Sequence, residues 1–364
     1  MTRIEDLETP AIVVDLDIVE RNLRSLAAYA LEHGLNLRPH TKTHKVPAIA
    51  KMQIESGCSG VTVAKTGEAE VMAQAGLDDI LVHYPVYGVE KAARLAALAR
   101  SRRVTVAVDS MVTARQLSAA AVAAGATIRL LVEADVGMRR CGVAPKDTGA
   151  LAKAVSVLPG IHFQGLTFYP GHIWAPPSEQ APALRQVSEQ VDIAVASIEA
   201  EGLKCETVSG GSTPTAYNSH LVDRLTEMRP GTYVFNDRNT IGVGACTVDD
   251  CALRVMVTVV STAVPGRVVV DGGTKTFAAD RWLSGEKTGF GLIPAYPDMR
   301  VEGLSEEHGH LDVSESAKRL TIGDKLTIVP NHVCACVNMH QQIWFHRGGV
   351  VEGSWNVAGR GLVR

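Results

Sequence analysis

A regular alternation of two residue patterns, from about residue 17 to residue 240, restricts the fold of this chain more than any other feature. Short runs rich in β-branched residues alternate with alanine-rich stretches whose apolar residues recur with a helical period. Such alternation predicts strands joined by helices, and therefore parallel pairing. Eight strands are predicted, at residues 35–38, 60–64, 80–83, 104–109, 128–133, 164–169, 206–209 and 232–236. Helices are predicted between them, for example at residues 67–75, 89–100, 112–124 and 188–201.

Eight strands in strict alternation with helices predict an α/β protein with a closed (β/α)8 barrel of the TIM type. An open doubly wound sheet is the alternative. After about residue 245 the pattern changes to consecutive strand-like runs with no convincing helix, at residues 254–260, 267–270, 325–329, 342–346 and 349–352. These runs predict a smaller, mostly β domain, which the run at residues 11–15 joins. We therefore expect a barrel over residues 16–243 and a β domain over residues 1–15 plus 244–364.

Composition excludes several classes of partner. The 364 residues contain 36 basic and 39 acidic side chains, so the net charge of -3 lacks the basic excess that nucleic acid binding requires. No run of 18 apolar residues is present to span a bilayer. The amino terminus has no apolar signal core, and the seven cysteines are odd in number and irregularly spaced. We expect a protein of the reducing cytoplasm that binds neither nucleic acid nor membrane.

Lys42 is the first candidate for chemistry. It lies within the basic stretch Arg38-Pro39-His40-Thr41-Lys42-Thr43-His44-Lys45, directly after the first predicted strand. Neighbouring cations and partial burial disfavour the charged form of an amine, so a lysine in such a place can act as a Schiff-base nucleophile. The alternative is an ordinary exposed lysine in a basic loop.

Other polar residues also follow predicted strands, where barrels carry their catalytic groups. They are Arg139, Arg140, Tyr169, His172, Ser212, Thr213, Asn236 and Asp237.

The loop after the seventh predicted strand has the residues of a phosphate site. Gly210-Gly211-Ser212-Thr213-Pro214 offers bare backbone N–H groups, two hydroxyls and a predicted helix start. Gly231 and Tyr233 add a glycine and a phenol at the neighbouring strand. An ordinary helix cap is the alternative. A Schiff-base lysine and a phosphate site on one barrel face together indicate pyridoxal 5'-phosphate.

A candidate metal site lies in the β domain. His332 and Cys334 are two residues apart, so on an extended strand their side chains would point to the same side and hold one ion. A buried structural cysteine is the alternative. His308 and His310 form a competing pair, which a loop after two glutamates would leave solvated or locally hydrogen-bonded.

Several segments resemble, in order, those of the D-threonine aldolase and D-serine dehydratase group. This group belongs to the fold-type III pyridoxal phosphate enzymes, together with alanine racemase. The likeness runs from about residue 9 to residue 340, and Pro-His-x-Lys-Thr is its most specific element. The segments are Thr9-Pro10-Ala11, the basic stretch around Lys42, Gly137-Met138-Arg139-Arg140-Cys141-Gly142, Tyr169-Pro170-Gly171-His172, Gly210-Gly211-Ser212-Thr213-Pro214 and Pro330-Asn331-His332-Val333-Cys334.

The resemblance implies roles for these residues. Lys42 would form the Schiff base, Arg140 would lie beside the cofactor ring, and Tyr169 would meet the pyridine nitrogen. A core tyrosine, and an ion pair of Arg140 with Glu133 or Asp135, are the alternatives. The other cofactor contacts would come from His40, Gly211, Ser212, Thr213, Gly231 and Tyr233.

The family also carries a metal pair at the position of His332 and Cys334, written His-x-Cys in dehydratases and often His-x-Asp in aldolases. The thiolate favours zinc, with manganese and magnesium as alternatives. The base would be His172, His44 or a bound water.

The function that the resemblance implies is a pyridoxal phosphate-dependent and metal-dependent lyase acting on β-hydroxy-D-amino acids. We expect retro-aldol cleavage of D-threonine-like substrates to glycine and an aldehyde. The first alternative is a zinc-dependent D-serine or 3-hydroxy-D-aspartate dehydratase, which gives a keto acid and ammonia. A racemase and a non-catalytic pyridoxal phosphate carrier are further alternatives. Relatives pair head to tail, so a homodimer is expected.

Overall fold

The chain divides into two compact units in the structure, a computed structural model that describes residues 2–280, 282 and 289–364. The first, here called the barrel unit, comprises Arg24–Lys42, Pro47–Gly231 and Gly361–Arg364. The second, here called the β unit, comprises Met1–Leu23, Thr43–Val46 and Thr232–Arg360.

An eight-stranded parallel sheet forms the barrel unit. The second to eighth strands pair with their neighbours in chain order, and the eighth pairs with the first. A parallel bridge between His40 and Thr62 joins the chain after the first strand to the second. There the Thr62 N–H donates to the Pro39 carbonyl at 2.8 Å. The predicted parallel barrel is confirmed, with strands Asn36–Leu37, Val61–Val63, Asp79–Val82, Arg103–Val108, Ile128–Ala134, Ile161–Phe168, Thr207–Gly210 and Glu227–Met228.

Helices cover the strands of the barrel unit, and apolar residues from both lie in one core. Leu95 and Leu117 of two helices are fully buried in a cluster with Ile80 and Val106 of two strands. Each such side chain contributes about 1.5–3 kcal/mol by its burial. The α-helices before the eighth strand are Leu16–Glu32, whose start belongs to the β unit, Pro47–Glu55, Thr66–Gln74, Val89–Ala99, Met111–Ala124, Thr148–Ser156 and Ala181–Ala200.

Local chemistry sets the bounds of these helices. The Ser110 hydroxyl accepts a hydrogen bond from the Thr113 N–H at the start of Met111–Ala124. Gly125 ends the same helix in the left-handed region, with φ +61°, where a glycine avoids the steric cost of a Cβ.

The eighth strand was wrongly predicted at residues 232–236. Glu227–Met228 forms this strand instead, and Thr232–Val234 is a turn of 3-10 helix. The Phe235 and Asn236 N–H groups donate back to the Thr232 carbonyl rather than to a neighbouring strand. The true strand has no apolar alternation by which it could be recognised in the sequence. Its buried Glu227 is stabilised by contacts with residues distant in the chain, which a local pattern does not show.

A nine-stranded sheet is found in the described part of the β unit. Its opening strand pairs antiparallel with Leu253–Ser261 and parallel with Gln342–Arg347. The strands predicted at residues 11–15, 254–260, 267–270, 325–329, 342–346 and 349–352 are confirmed within a few residues. The strands among the described residues are Ala11–Asp15, Leu253–Ser261, Arg267–Val270, Gly291–Leu292, Arg300–Leu304, Gly309–Asp312, Lys325–Pro330, Gln342–Arg347 and Val350–Asn356.

The expectation that no helix interrupts these strands is wrong. Helices at Thr274–Phe277 and Val333–Met339 lie between strands of the β unit, and a further helix of this unit, Arg238–Gly242, precedes them. All are short, so each provides too few turns for a helical period to be recognised in the sequence. Within the described residues, no helix combines the length and the apolar character needed to cross a membrane.

Arg38 joins two acidic residues inside the barrel unit. Its Nε donates to Glu227 Oε2 at 2.7 Å and its Nη1 donates to Asp79 Oδ1 at 2.6 Å. The Arg38 and Glu227 side chains are only 8% and 5% exposed. Because the carboxylate is buried, the guanidinium is needed to compensate its charge.

Replacing Arg38 by alanine should therefore lower the free energy of unfolding by about 3–5 kcal/mol, since Glu227 would remain buried without its partner. Arg224 is the matched control in the same unit, because its side chain is 50% exposed and pairs with Asp192 at 3.4 Å. Arg224→Ala should cost about 1 kcal/mol or less. Urea unfolding of both variants measures the difference, and equal losses would contradict the proposed role of burial.

Candidate active site

Lys42 lies at the carboxyl end of the first barrel strand, where the sequence predicted it. It occupies the 3-10 turn Thr41–Thr43 and is half-buried. The Lys42 backbone N–H donates to Nδ1 of the buried His40 at 3.4 Å. Burial lowers the pKa of His40 well below its ordinary value, and the charges of Lys42, Arg229 and Arg140 lower it further. His40 is therefore neutral and lies in the positive field of the candidate lysine.

Arg229 and His83 are two residues of this region that sequence reasoning missed. The Arg229 guanidinium is buried and donates to Thr167 Oγ1 at 2.8 Å and to Ser209 Oγ at 2.6 Å. It also donates to the Phe168 carbonyl at 2.9 Å and lies 3.0 Å from His83 Nε2.

Burial lowers the pKa of both Arg229 and His83. The pKa of Arg229 falls to about 10, although Glu227 and Glu133 oppose the shift. Burial, and then the charge of Arg229, lowers the pKa of His83 well below its ordinary value, so the imidazole is neutral and can accept from the guanidinium. Placing the eighth strand correctly at Glu227–Met228 would have indicated Arg229 as a strand-end residue.

Arg140 and Tyr169 contact each other. The Arg140 guanidinium carbon lies 4.6 Å from the centre of the Tyr169 ring, a cation–π arrangement. The charge of Arg140 also acts on Glu133, whose pKa is raised by burial and lowered by Arg229 and Arg140. Gly171 lies so close beneath the ring that a Cβ there would be 2.0 Å from Tyr169 Cε1. The glycine of the Tyr-Pro-Gly sequence therefore allows the Tyr169 ring to approach the backbone closely.

His172 and His44 were both predicted as candidate bases. His172 is exposed, and its Cε1 lies 3.1 Å from where a Cβ on Gly137 would be. His44 is fully buried in the β unit, and its Nδ1 accepts from the Val46 N–H at 3.0 Å. An exposed imidazole can exchange protons with a bound molecule more readily, which favours His172.

The glycine–hydroxyl loop of the barrel unit has part of the predicted geometry. Gly211 adopts φ +91°, and the Gly231 N–H donates to Thr213 Oγ1 at 3.2 Å. Ser212 Oγ lies 2.9 Å from Thr215 Oγ1. These backbone and hydroxyl groups could hold a phosphate.

The predicted helix start after this loop is corrected. Residues Ala216–Leu221 form a six-residue 3-10 helix rather than an α-helix, so the loop lacks the helix dipole that was expected to favour an anion. Tyr233 is buried in the 3-10 turn Thr232–Val234 of the β unit.

His332 and Cys334 lie together in the β unit, but not on a strand as predicted. His332 is the last extended residue, with φ -140°, and Cys334 belongs to the first turn of the helix Val333–Met339. The two side chains are nevertheless hydrogen-bonded to each other. Cys334 Sγ also lies 3.3 Å from Thr43 Oγ1. The turn into the helix replaces strand geometry in bringing the two groups together.

Anionic neighbours surround His332. The Cys334 thiolate first, and then Asp237, raise the pKa of His332 to about 11. Asp237 Oδ2 accepts from His332 Nδ1 at 3.0 Å, which leaves Nε2 as the ring nitrogen suited to a metal. A neutral imidazole nitrogen and a thiolate form a donor set typical of zinc. The chemistry of these two donors therefore fits a metal ion.

The alternative histidine pair has a local role. His310 Nε2 lies 3.0 Å from Ser305 Oγ, which is the local hydrogen bond expected if this pair does not bind a metal. In the described part of the chain, no group of three or more His, Cys, Asp or Glu residues has a metal-binding arrangement. A metal ion held by His332 and Cys334 would therefore have two protein ligands, and its other ligands would be water or substrate.

Comparison with known proteins gives two family matches. Residues 14–239 match the family described as alanine racemase, N-terminal domain, and residues 252–346 match a putative serine dehydratase domain. The chain is 36% identical to a D-threonine aldolase of Arthrobacter sp., over 98% of this chain and 94% of that protein. It is 34% identical to the D-threo-3-hydroxyaspartate dehydratase of Delftia sp. (strain HT23), over 90% of this chain and 91% of that protein.

The structure also resembles a solved one. The D-threonine aldolase from Filomicrobium marinum matches with a TM-score of 0.92 and 36% identity, over 99% of this chain and 98% of that chain. The alanine racemase-like fold and the family resemblance predicted from the sequence are both confirmed.

Removing the thiolate should weaken zinc binding. We expect Cys334→Ala to lower the zinc affinity of the metal-depleted protein by more than about 100-fold, beyond the roughly 10–100-fold typical of losing a hydrogen-bond partner of a ligand. Cys336 is the matched control, because it lies in the same helix but is fully buried, with Sγ 3.3 Å from the Thr276 carbonyl. Cys336→Ala should keep the zinc affinity of the unsubstituted protein. Competition with a chromogenic chelator measures both, and equal affinities would exclude Cys334 as a ligand.

Proposed function

Since the chain belongs to the alanine racemase-like family that includes D-threonine aldolase, we propose that it is a pyridoxal phosphate-dependent and metal-dependent lyase that cleaves β-hydroxy-D-amino acids to glycine and an aldehyde. The observation that carries the proposal is the placement of Lys42. Lys42 is half-buried at a barrel strand end, and its charge acts on the buried His40 together with those of Arg140 and Arg229. In such a setting an amine can react with an aldehyde. The similarity to D-threonine aldolase over almost the whole chain supports the reaction type.

The residues of the barrel unit fit the cofactor. When bound, pyridoxal phosphate supplies an aldehyde for the Lys42 amine and a conjugated ring that withdraws electrons from the substrate. Gly211, Ser212, Thr213 and Gly231 would hold its phosphate through N–H and hydroxyl groups. Arg140, stacked on Tyr169, would lie beside the ring, and the neutral His40 would add a contact without adding charge.

The residues of the β unit would hold the metal. His332 Nε2 and Cys334 Sγ are the proposed ligands, and the ion, when bound, would lower the pKa of the substrate β-hydroxyl. We propose zinc because of the thiolate, with manganese and magnesium as alternatives. His172 would accept the proton from the hydroxyl oxygen while the Cα–Cβ bond breaks.

A dehydratase is the second candidate, and Cys334 is the observation that favours it. The family's dehydratases resemble this chain in carrying His-x-Cys, and the chain is 34% identical to a hydroxyaspartate dehydratase. In that reaction the Lys42 amine would remove the Cα proton and the β-hydroxyl would leave as hydroxide. The resulting enamine would then be hydrolysed by water to a keto acid and ammonia.

The products of D-threonine separate these two functions. With pyridoxal phosphate and a divalent metal, the proposed aldolase should release acetaldehyde and glycine in equal amounts, whereas a dehydratase would release 2-oxobutyrate and ammonia. A Schiff base between Lys42 and the cofactor would absorb at the edge of the visible range. Lys42→Ala should abolish this absorbance band and either reaction, because both need the Lys42 amine. Lys51→Ala, an exposed lysine on the helix Pro47–Glu55, is the control that should keep both. Turnover that survives Lys42→Ala would contradict the proposal.

The role of His172 can be tested through Gly137. Its φ of +121° disfavours any side chain, and an added Cβ would lie 3.1 Å from the His172 ring, so Gly137→Ala should displace the imidazole. Gly76 is the matched control, with φ +90° and no atom within 4 Å of an added Cβ. We expect both alanine variants to lose about 1–2 kcal/mol of stability and only Gly137→Ala to lose most of its turnover of D-threonine. Similar turnover in the two variants would argue against His172 as the base.

A further inference from the structure

We propose that Asp237 is a positioning residue of the metal site, which fixes the ring of His332 so that Nε2 is the ligand atom. The inference rests on the proposed function, because it concerns the metal pair assigned there. Asp237 lies in the β unit, just after the 3-10 turn Thr232–Val234, and the sequence predicted only that it would follow a strand.

Four hydrogen bonds hold the Asp237 carboxylate in one orientation. Oδ2 accepts from His332 Nδ1 at 3.0 Å and from the Val333 N–H at 3.1 Å. Oδ1 accepts from the Thr240 N–H at 2.9 Å and from the Thr240 hydroxyl at 3.2 Å. One oxygen therefore binds the histidine and the backbone of the adjacent residue, while the other caps the helix Arg238–Gly242. A carboxylate held at both oxygens can transmit its orientation to the imidazole.

Because Asp237 is buried, its contact with His332 is electrostatic as well as a hydrogen bond. The Asp237 side chain is 0% exposed, whereas that of His332 is 36% exposed. A buried carboxylate requires a nearby positive charge or several donors. The imidazole that Asp237 binds is also the proposed metal ligand, so the negative charge of Asp237 would act through the ring on a metal bound there.

The hydrogen bond decides which ring nitrogen binds a metal. A neutral imidazole that donates from Nδ1 has its lone pair on Nε2. A carboxylate partner also increases the basicity of that lone pair, and loss of such a partner typically lowers metal affinity by 10–100-fold. Asparagine at position 237 could still accept from Nδ1 but would not provide the charge.

The first experiment measures zinc affinity rather than activity. We expect metal-depleted Asp237→Asn to bind zinc about 10–100-fold more weakly than the unsubstituted protein, by competition with a chromogenic chelator. Asp271→Asn is the matched control in the same unit. Its carboxylate also accepts from a backbone N–H, that of Thr258 at 2.7 Å, and from a hydroxyl, that of Thr9 at 2.5 Å. Neither donor belongs to the metal pair, so the control should keep its zinc affinity.

The outcomes separate this inference from the proposed function. Failure of the unsubstituted protein to bind zinc, manganese or magnesium would overturn the metal site itself and Asp237's role with it. Tight binding that Asp237→Asn leaves unchanged would overturn the positioning role alone. An equal loss in Asp271→Asn would likewise overturn it, because the effect would then be structural.

A second measurement needs no substitution, which covers the case that Asp237→Asn does not fold. Nitrogen-15 spectra of the histidines in the unsubstituted protein should show zinc shifting Nε2 of His332 while Nδ1 keeps its proton. Zinc on Nδ1 would contradict the inference. The His332 signals can be assigned from their absence in His332→Gln.

Discussion

Parallel hydrogen bonding of eight strands in one ring is the constraint on which the rest of the barrel unit depends. Every strand of such a ring ends at the same face, so residues far apart in the chain are gathered there. Lys42, Arg140, Tyr169 and Arg229 are brought together in this way from four different strand ends. The contact of Arg38 with Glu227 and Asp79 stabilises the same ring, because the guanidinium compensates the negative charges of these two strand residues.

Charge distinguishes the two candidate groups of residues. In the barrel unit the groups around His40 are mainly cationic, and burial keeps the imidazoles of His40 and His83 neutral. Such a place suits an anionic phosphate and an aldehyde. In the β unit the groups around His332 are anionic, since Asp237 and the Cys334 thiolate both favour a positive charge. That place suits a metal ion. Each unit thus has the electrostatic character that its proposed ligand requires.

The candidate site residues that could be predicted from the sequence are those that lie next to a recognisable local pattern. Arg140 and Tyr169 follow the strands Ile128–Ala134 and Ile161–Phe168, which are long enough to be recognised. Lys42 follows a strand of only two residues, and it was singled out by the basic stretch around it. The eighth strand was misplaced because Glu227–Met228 is two residues long and is stabilised by Arg38, Ser209 and the neighbouring strands. Arg229 and its contacts with Thr167 and His83 were missed as a direct result, since they depend on where that strand ends.

The sequence by itself determined the class of fold, the two-part pattern of strands and helices, and the residues that resemble those of a known family, because these follow from periodicity and from short motifs. Only the tertiary structure decided how the functional groups are oriented. The His-x-Cys pair meets at a turn into a helix rather than on a strand, and the carboxylate that orients the histidine lies 95 positions away. Hydrogen bonds and buried charges between distant segments depend on packing, which no local pattern records.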